Sequence, residues 1–82
     1  MITVKVKLFA MARDLAGAET LSYALPPGSP AGEILRLLSK KNREFEKWKD
    51  HLRLAVNWEY VPNDYTLHED DEVAVIPPVS GG

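Results

Sequence analysis

The sequence predicts an α+β fold: a mixed sheet packed on one main helix, with the C-terminal end projecting as a tail. Three observations carry that expectation. Ile2, Val4, Val6 and Leu8 alternate with Thr3, Lys5, Lys7 and Phe9, the period of a half-buried strand. Ile34, Leu35, Leu37 and Leu38 form an apolar stripe after Ser29-Pro30, a pattern that belongs to a helix lying on a sheet. A β-branched run, 73–76, is stopped by Pro77-Pro78, because proline cannot donate to a ladder. A length of 82 residues leaves room for one core, so 1–82 is expected to be one domain with 77–82 as a flexible functional tail.

Residues 1–9 are the first strand. Residues 10–17 read as a short helical turn, with Gly17 as its stop. Leu21, Tyr23 and Leu25 share one side of a second strand over 19–25, and the short link predicts antiparallel pairing with the first. Pro26-Pro27-Gly28 ends it. Ser29 is then placed to cap the helix, and Pro30 to occupy its first position, where no hydrogen bond is lost. Gly32 stands where a full capping box would need Glu. Two continuations stay open: one helix running to Phe45 and Trp48, or a second short helix. Leu52, Leu54 and Val56 mark a third strand over 52–56, and Asn57 to Tyr60 its turn, with Tyr60-Val61 returning. Pro62-Asn63-Asp64 is a further turn. Leu67 leads through the acidic run Glu69-Asp70-Asp71-Glu72 to the last strand. If that strand lies beside the first, the pair is parallel and central.

Composition excludes several function classes. A net charge of −2 argues against nucleic-acid binding through bulk electrostatics. Lys40, Lys41, Arg43, Lys47, Lys49 and Arg53 are interleaved with Glu44, Glu46 and Asp50, the mark of a solvated surface. No apolar run is long enough to span a bilayer, and residues 1–9 lack a signal peptide's continuous apolar stretch. The absence of cysteine removes disulfides, thiolate metal sites and cysteine nucleophiles, and makes a cytoplasmic location the expectation. The acidic run lacks the spaced ligands and glycine of a calcium loop, so a solvated turn is expected. His51 and His68 have no metal-ligand spacing. No phosphate-cradling glycine loop is present, so neither ATP nor any other cofactor is expected to be bound by this chain. So short a chain offers little surface for a deep pocket, which favours a module that works with a partner.

The C-terminal residues are the most informative. Consecutive terminal glycines arise by chance in roughly 0.5% of chains, and here they follow Pro77-Pro78-Val79-Ser80. The extended Pro-Pro backbone directs the tail away from the sheet. Gly81-Gly82 can enter a channel too narrow for any Cβ. The distinctive chemical group there is the Gly82 carboxylate, a poor electrophile that needs activation by another enzyme. The competing interpretation is an idle, frayed terminus.

These residues carry a resemblance. Leu8-Phe9-Ala10, Ala12-Arg13-Asp14-Leu15-Ala16-Gly17, Ala55-Val56-Asn57, Asp71-Glu72-Val73-Ala74 and Ile76-Pro77-Pro78-Val79-Ser80-Gly81-Gly82 occur in this order. The chain resembles the MoaD/ThiS group of ubiquitin-like sulfur carriers, and within it the molybdopterin synthase small subunits more than the thiamin-pathway carriers. Asp70 and Trp58 stand where that group often has glycine. The resemblance implies a β-grasp fold. It also implies that a ubiquitin-activating-enzyme-like adenylyltransferase uses ATP to adenylate Gly82, and that a sulfur donor enzyme converts it to a thiocarboxylate. Val79, Ser80 and Gly81 would then insert the tail into the large synthase subunit, in a heterotetramer, where the sulfur passes to a cyclic pyranopterin phosphate. By the same resemblance this chain is not catalytic alone. A ubiquitin-like modifier, joining Gly82 to lysine amines, needs the same activation, and so does a carrier for another pathway.

A docking surface can be argued from alternation. With Ile2, Val4, Val6 and Leu8 inward, Phe9 lies on the face of Lys5 and Lys7. With Val73 and Val75 inward, Ala74 and Ile76 lie outward. Phe9, Tyr60 and Ile76, with Pro77 and Pro78, are therefore the expected partner-binding residues, and family members dock through matching positions. Trp58 is a secondary candidate, its place at a turn implying a different turn type or a contact. The alternative for Phe9 is that it folds under 10–17 and closes the core.

Overall fold

A computed structural model describes residues 1–78. Its elements run β1 (Ile2–Leu8), α1 (Ala10–Ala16), β2 (Thr20–Leu25), α2 (Glu33–Lys41), α3 (Glu44–Trp48), β3 (Arg53–Val56), β4 (Glu59–Val61) and β5 (Glu72–Ile76). The five strands form one sheet in the order β2-β1-β5-β3-β4. β1 pairs antiparallel with β2 and parallel with β5, while β3 pairs antiparallel with both β4 and β5. The chain's first and last strands thus lie side by side within the sheet.

Alternation decides which face is covered. Val4, Val6 and Leu8 of β1, Leu54 and Val56 of β3, and Val73 and Val75 of β5 join one buried cluster with Ile34, Leu35 and Leu38 of α2. Burying these branched side chains between sheet and helix supplies the main driving force for folding. Ala55 and Ala74 project to the opposite face. They are buried but do not belong to the core cluster.

The start of α2 differs from the expectation. Ser29 is not the cap: its hydroxyl donates to the Pro26 carbonyl at 2.7 Å. Pro30 precedes the helix and forms a bridge with Thr66. The physical reason is that the first helical donors are met locally, Glu33 N–H by the Pro30 carbonyl at 3.0 Å and Ile34 N–H by the Ala31 carbonyl at 3.1 Å, while 63–65 ties down the residues just before the helix. Ala31 N–H donates to the Tyr65 carbonyl at 2.7 Å and Gly32 N–H to the Asn63 carbonyl at 2.8 Å, so no side-chain cap is required. Gly32 suits this close approach, since a Cβ there would lie 3.1 Å from Asn63 Cβ.

The two open continuations resolve into two helices. Asn42 is extended, with φ −149°. Its side chain donates to the Leu15 carbonyl at 3.0 Å and accepts from Glu44 N–H at 2.9 Å. Asn42 therefore ends α2, opens α3 and ties both to the end of α1. Phe45, fully buried, fastens α3 to the core. Gly17 terminates α1 in the left-handed conformation, φ 74°, which glycine adopts without a Cβ clash.

Candidate functional site

The outer face of the sheet is built around the junction of β1 and β5. The register Lys7↔Ala74 continues through Ala55↔Tyr60 on the other side of β5, so Lys7, Ala74, Ala55 and Tyr60 form one row. The next row contains Ile76 opposite Arg53. Phe9 follows Leu8↔Val75 and keeps an extended backbone, φ −123° and ψ 150°, which carries the alternation one residue further and turns its ring to the side of Lys7. Phe9 and Lys7 indeed line the same shallow groove of about 250 Å³, with Arg13, Glu19 and Thr20. Phe9 is 42% exposed, so it does not close the core.

The charged side chains lie against aromatic rings on this face. The Arg53 guanidinium sits 4.0 Å from the Tyr60 ring centroid, and the Lys7 ammonium 5.5 Å from that of Trp58. Both distances fall within cation–π range. Lys7 also pairs with Glu72 at 3.5 Å. The small residues Ala55 and Ala74 lie beneath these large side chains, which explains their burial outside the core. Tyr60 and Trp58 remain exposed. Ile76 and Pro77 are half-buried and Pro78 is exposed. Of the expected site residues, the structure thus places Phe9, Tyr60, Ile76, Pro77 and Pro78 around one end of one sheet face. Val79, Ser80, Gly81 and Gly82 lie outside the described residues.

Trp58 occupies a turn of unusual geometry. Asn57 and Trp58 have φ values of 52° and 74°, and Val56 pairs with Glu59. This is the two-residue hairpin pattern with positive φ at both central positions, which ordinarily selects Asn-Gly. Asn57 fits it, and its side chain fastens the turn to β5. The amide donates to Asp71 Oδ1 at 3.0 Å, and the amide oxygen accepts from Glu72 N–H at 3.1 Å. The other Asp71 oxygen accepts from His68 N–H at 2.8 Å. The acidic run is therefore not wholly a solvated turn: Glu69 and Asp70 are exposed, but Asp71 is buried. Burial of this carboxylate is tolerated because both oxygens are hydrogen-bonded. Asp70 takes φ 66°, a conformation that Asp tolerates better than most residues. Alternation and composition missed this network; the pairing of an Asn turn with a downstream Asp was the available signal.

No helix among the described residues is long and apolar enough to cross a membrane. No group of side chains suited to a metal ion occurs among them either.

Residues 6–82 match the sequence profile of the ThiS family. The chain belongs to the ThiS family. Among its relatives is an Arabidopsis thaliana protein named molybdopterin synthase sulfur carrier subunit, 38% identical over 81 residues, which cover 99% of this chain and 84% of the relative. A Caenorhabditis briggsae protein of the same name is 36% identical, with both chains covered completely. A Pyrococcus furiosus structure bearing the name molybdopterin converting factor, subunit 1, superposes with a TM-score of 0.85 at 32% identity, covering 96% of this chain and 100% of the other. The small archaeal modifier protein 1 of Methanosarcina acetivorans superposes with a TM-score of 0.81 at 27% identity, covering 100% and 98%. The fold of this ThiS-family chain is the ubiquitin-like β-grasp. A ubiquitin from Caldiarchaeum subterraneum shares it, with a TM-score of 0.65 at 16% identity over 99% of this chain and 98% of the other.

Proposed function

We propose that this chain is the sulfur carrier subunit of a molybdopterin synthase. The observation that carries the proposal is similarity along the full chain to proteins named for that role. The sheet face adds a physical means: an exposed aromatic surface lies beside Pro77-Pro78, where the last strand hands over to the tail. A partner that draws in the tail must cover this face.

The chemistry follows from the terminal carboxylate. An adenylyltransferase partner joins Gly82 to AMP, releasing pyrophosphate from ATP. A sulfur donor enzyme then supplies the nucleophile that displaces AMP and leaves a thiocarboxylate. Inside the large synthase subunit, that sulfur bonds to a side-chain carbon of the cyclic pyranopterin phosphate and displaces an oxygen substituent. Water then cleaves the resulting thioester, leaving sulfur on the pterin and freeing the Gly82 carboxylate. Gly81 and Gly82 supply a tail without side chains, Ser80 and Val79 span the approach, and Phe9, Tyr60, Ile76, Pro77 and Pro78 form the contact. ATP is used by the partner, and the setting is cytoplasmic.

The competing reading is a protein modifier, favoured by the likeness to a small archaeal modifier protein. Thiocarboxylated chain should be mixed with the large subunit and the pyranopterin phosphate, and separately with lysine-bearing proteins and the activating enzyme. Sulfur found in the pterin with no isopeptide product supports the carrier. Isopeptide product without sulfur transfer supports the modifier and refutes the proposal.

A further inference from the structure

Trp58 combines features that conflict in the free chain. Its φ of 74° lies where a bulky L-residue is an outlier, and glycine would relieve the strain at no steric cost. Packing does not compensate, because the side chain is 77% exposed. Yet the turn that displays it is fixed. Asn57 donates to buried Asp71 at 3.0 Å and accepts from Glu72 N–H at 3.1 Å, and Asn57 N–H donates to the Glu72 carbonyl at 2.9 Å. A strained backbone held by surrounding bonds and ending in an exposed ring is a pattern associated with function.

We propose that Trp58 is an anchor of the docking face, seated in an apolar slot on the large synthase subunit. This inference rests on the carrier function proposed above. Continuity places the indole there: Lys7, in the same row as Tyr60, reaches the Trp58 ring. Phe9, Tyr60 and Trp58, each more than 40% exposed, therefore belong to one sheet face. Phe9 stands at the tail-exit end, Tyr60 in the next row and Trp58 at the end where β5 begins, and a partner that receives the tail and covers the whole face meets them together. A fixed turn lowers the ordering cost of binding, and Trp is among the residue types that most often dominate an interface. Charge narrows the slot's chemistry. Lys7 is matched by Glu72, whereas Arg53 forms no ion pair among the described residues. The slot is therefore apolar, and a partner carboxylate belongs at the opposite end of the face, where Arg53 lies over Tyr60.

The test compares the full chain with Trp58→Gly. Urea unfolding and the dissociation constant for the cognate large subunit are measured for both, with sedimentation of each free chain. The proposal predicts an unfolding midpoint equal to or above that of the original chain, and binding weakened at least about tenfold. A smaller loss of binding, with the original chain binding normally, overturns the inference alone. So does a lowered midpoint, which makes the indole a structural residue, or self-association removed by the substitution, which makes a second copy the occupant. Failure of the original chain to bind the large subunit at all overturns the proposed function as well.

Discussion

Asn57 performs two physical jobs at one position. It tolerates φ 52°, as Asn does better than most residues, and it hydrogen-bonds Asp71 and Glu72. Two substitutions separate these jobs. Asn57→Gly keeps the conformational tolerance and loses the bonds, at a cost of about 1–3 kcal/mol because Asp71 loses a partner. Asn57→Ala loses both and should cost about 1 kcal/mol more; urea unfolding of the two variants measures the difference. Glu33 offers a pH test at the same scale. Hydrogen bonds from Arg36 hold its carboxyl below the usual carboxylate range. The lowered folded value means that stability is present at neutral pH and is lost as acid takes the carboxylate through its folded pKa. In Glu33→Gln, stability should fall less across that acid range, a modest difference that shrinks in salt because the pair lies at the surface. The sequence shows residue types but not partners. Asn57 and Asp71 lie 14 positions apart, and only the crossing of β5 beside β3 brings them together.

At the level of elements, period-two alternation and Gly/Pro punctuation made the strands legible. The parallel pairing of first and last strands was legible only as a condition, since alternation shows which face of each strand is apolar but not which strands are neighbours. The start of α2 was less legible. Ser29-Pro30 has the local chemistry of a helix start, but the carbonyls of Asn63 and Tyr65, from a distant loop, hold Gly32 and Ala31 and shift the start to Glu33. The break before α3 depended likewise on Asn42 bonding the carbonyl of Leu15, a contact without local periodicity. α3 is five residues long, too short to persist without packing, and Phe45 is its buried anchor. Phe45→Ala should cost about 3–5 kcal/mol. Hydrogen exchange should show the amides of α3 losing protection well before those of β1 and β5.

At the scale of the whole molecule, the first and last strands meet inside one sheet. Strand pairing holds β1 and β5 in the interior of the sheet, and Pro77-Pro78 follows the end of β5. That Phe9 and Ile76 share a sheet face was legible because alternation sorts the faces without further information. Trp58 was less so, since a turn residue has no face until the turn geometry is known. In the proposed function the fold supplies the contact surface and the Gly82 carboxylate the chemistry. The most direct measurement is an intact-mass spectrum after incubation with a competent cognate adenylyltransferase, ATP and a sulfur source. Replacement of one oxygen by sulfur at Gly82, absent from a chain lacking Gly81-Gly82 whose thermal unfolding is unchanged, is the predicted result. An unaltered mass with an activating enzyme shown to work on another carrier would contradict it.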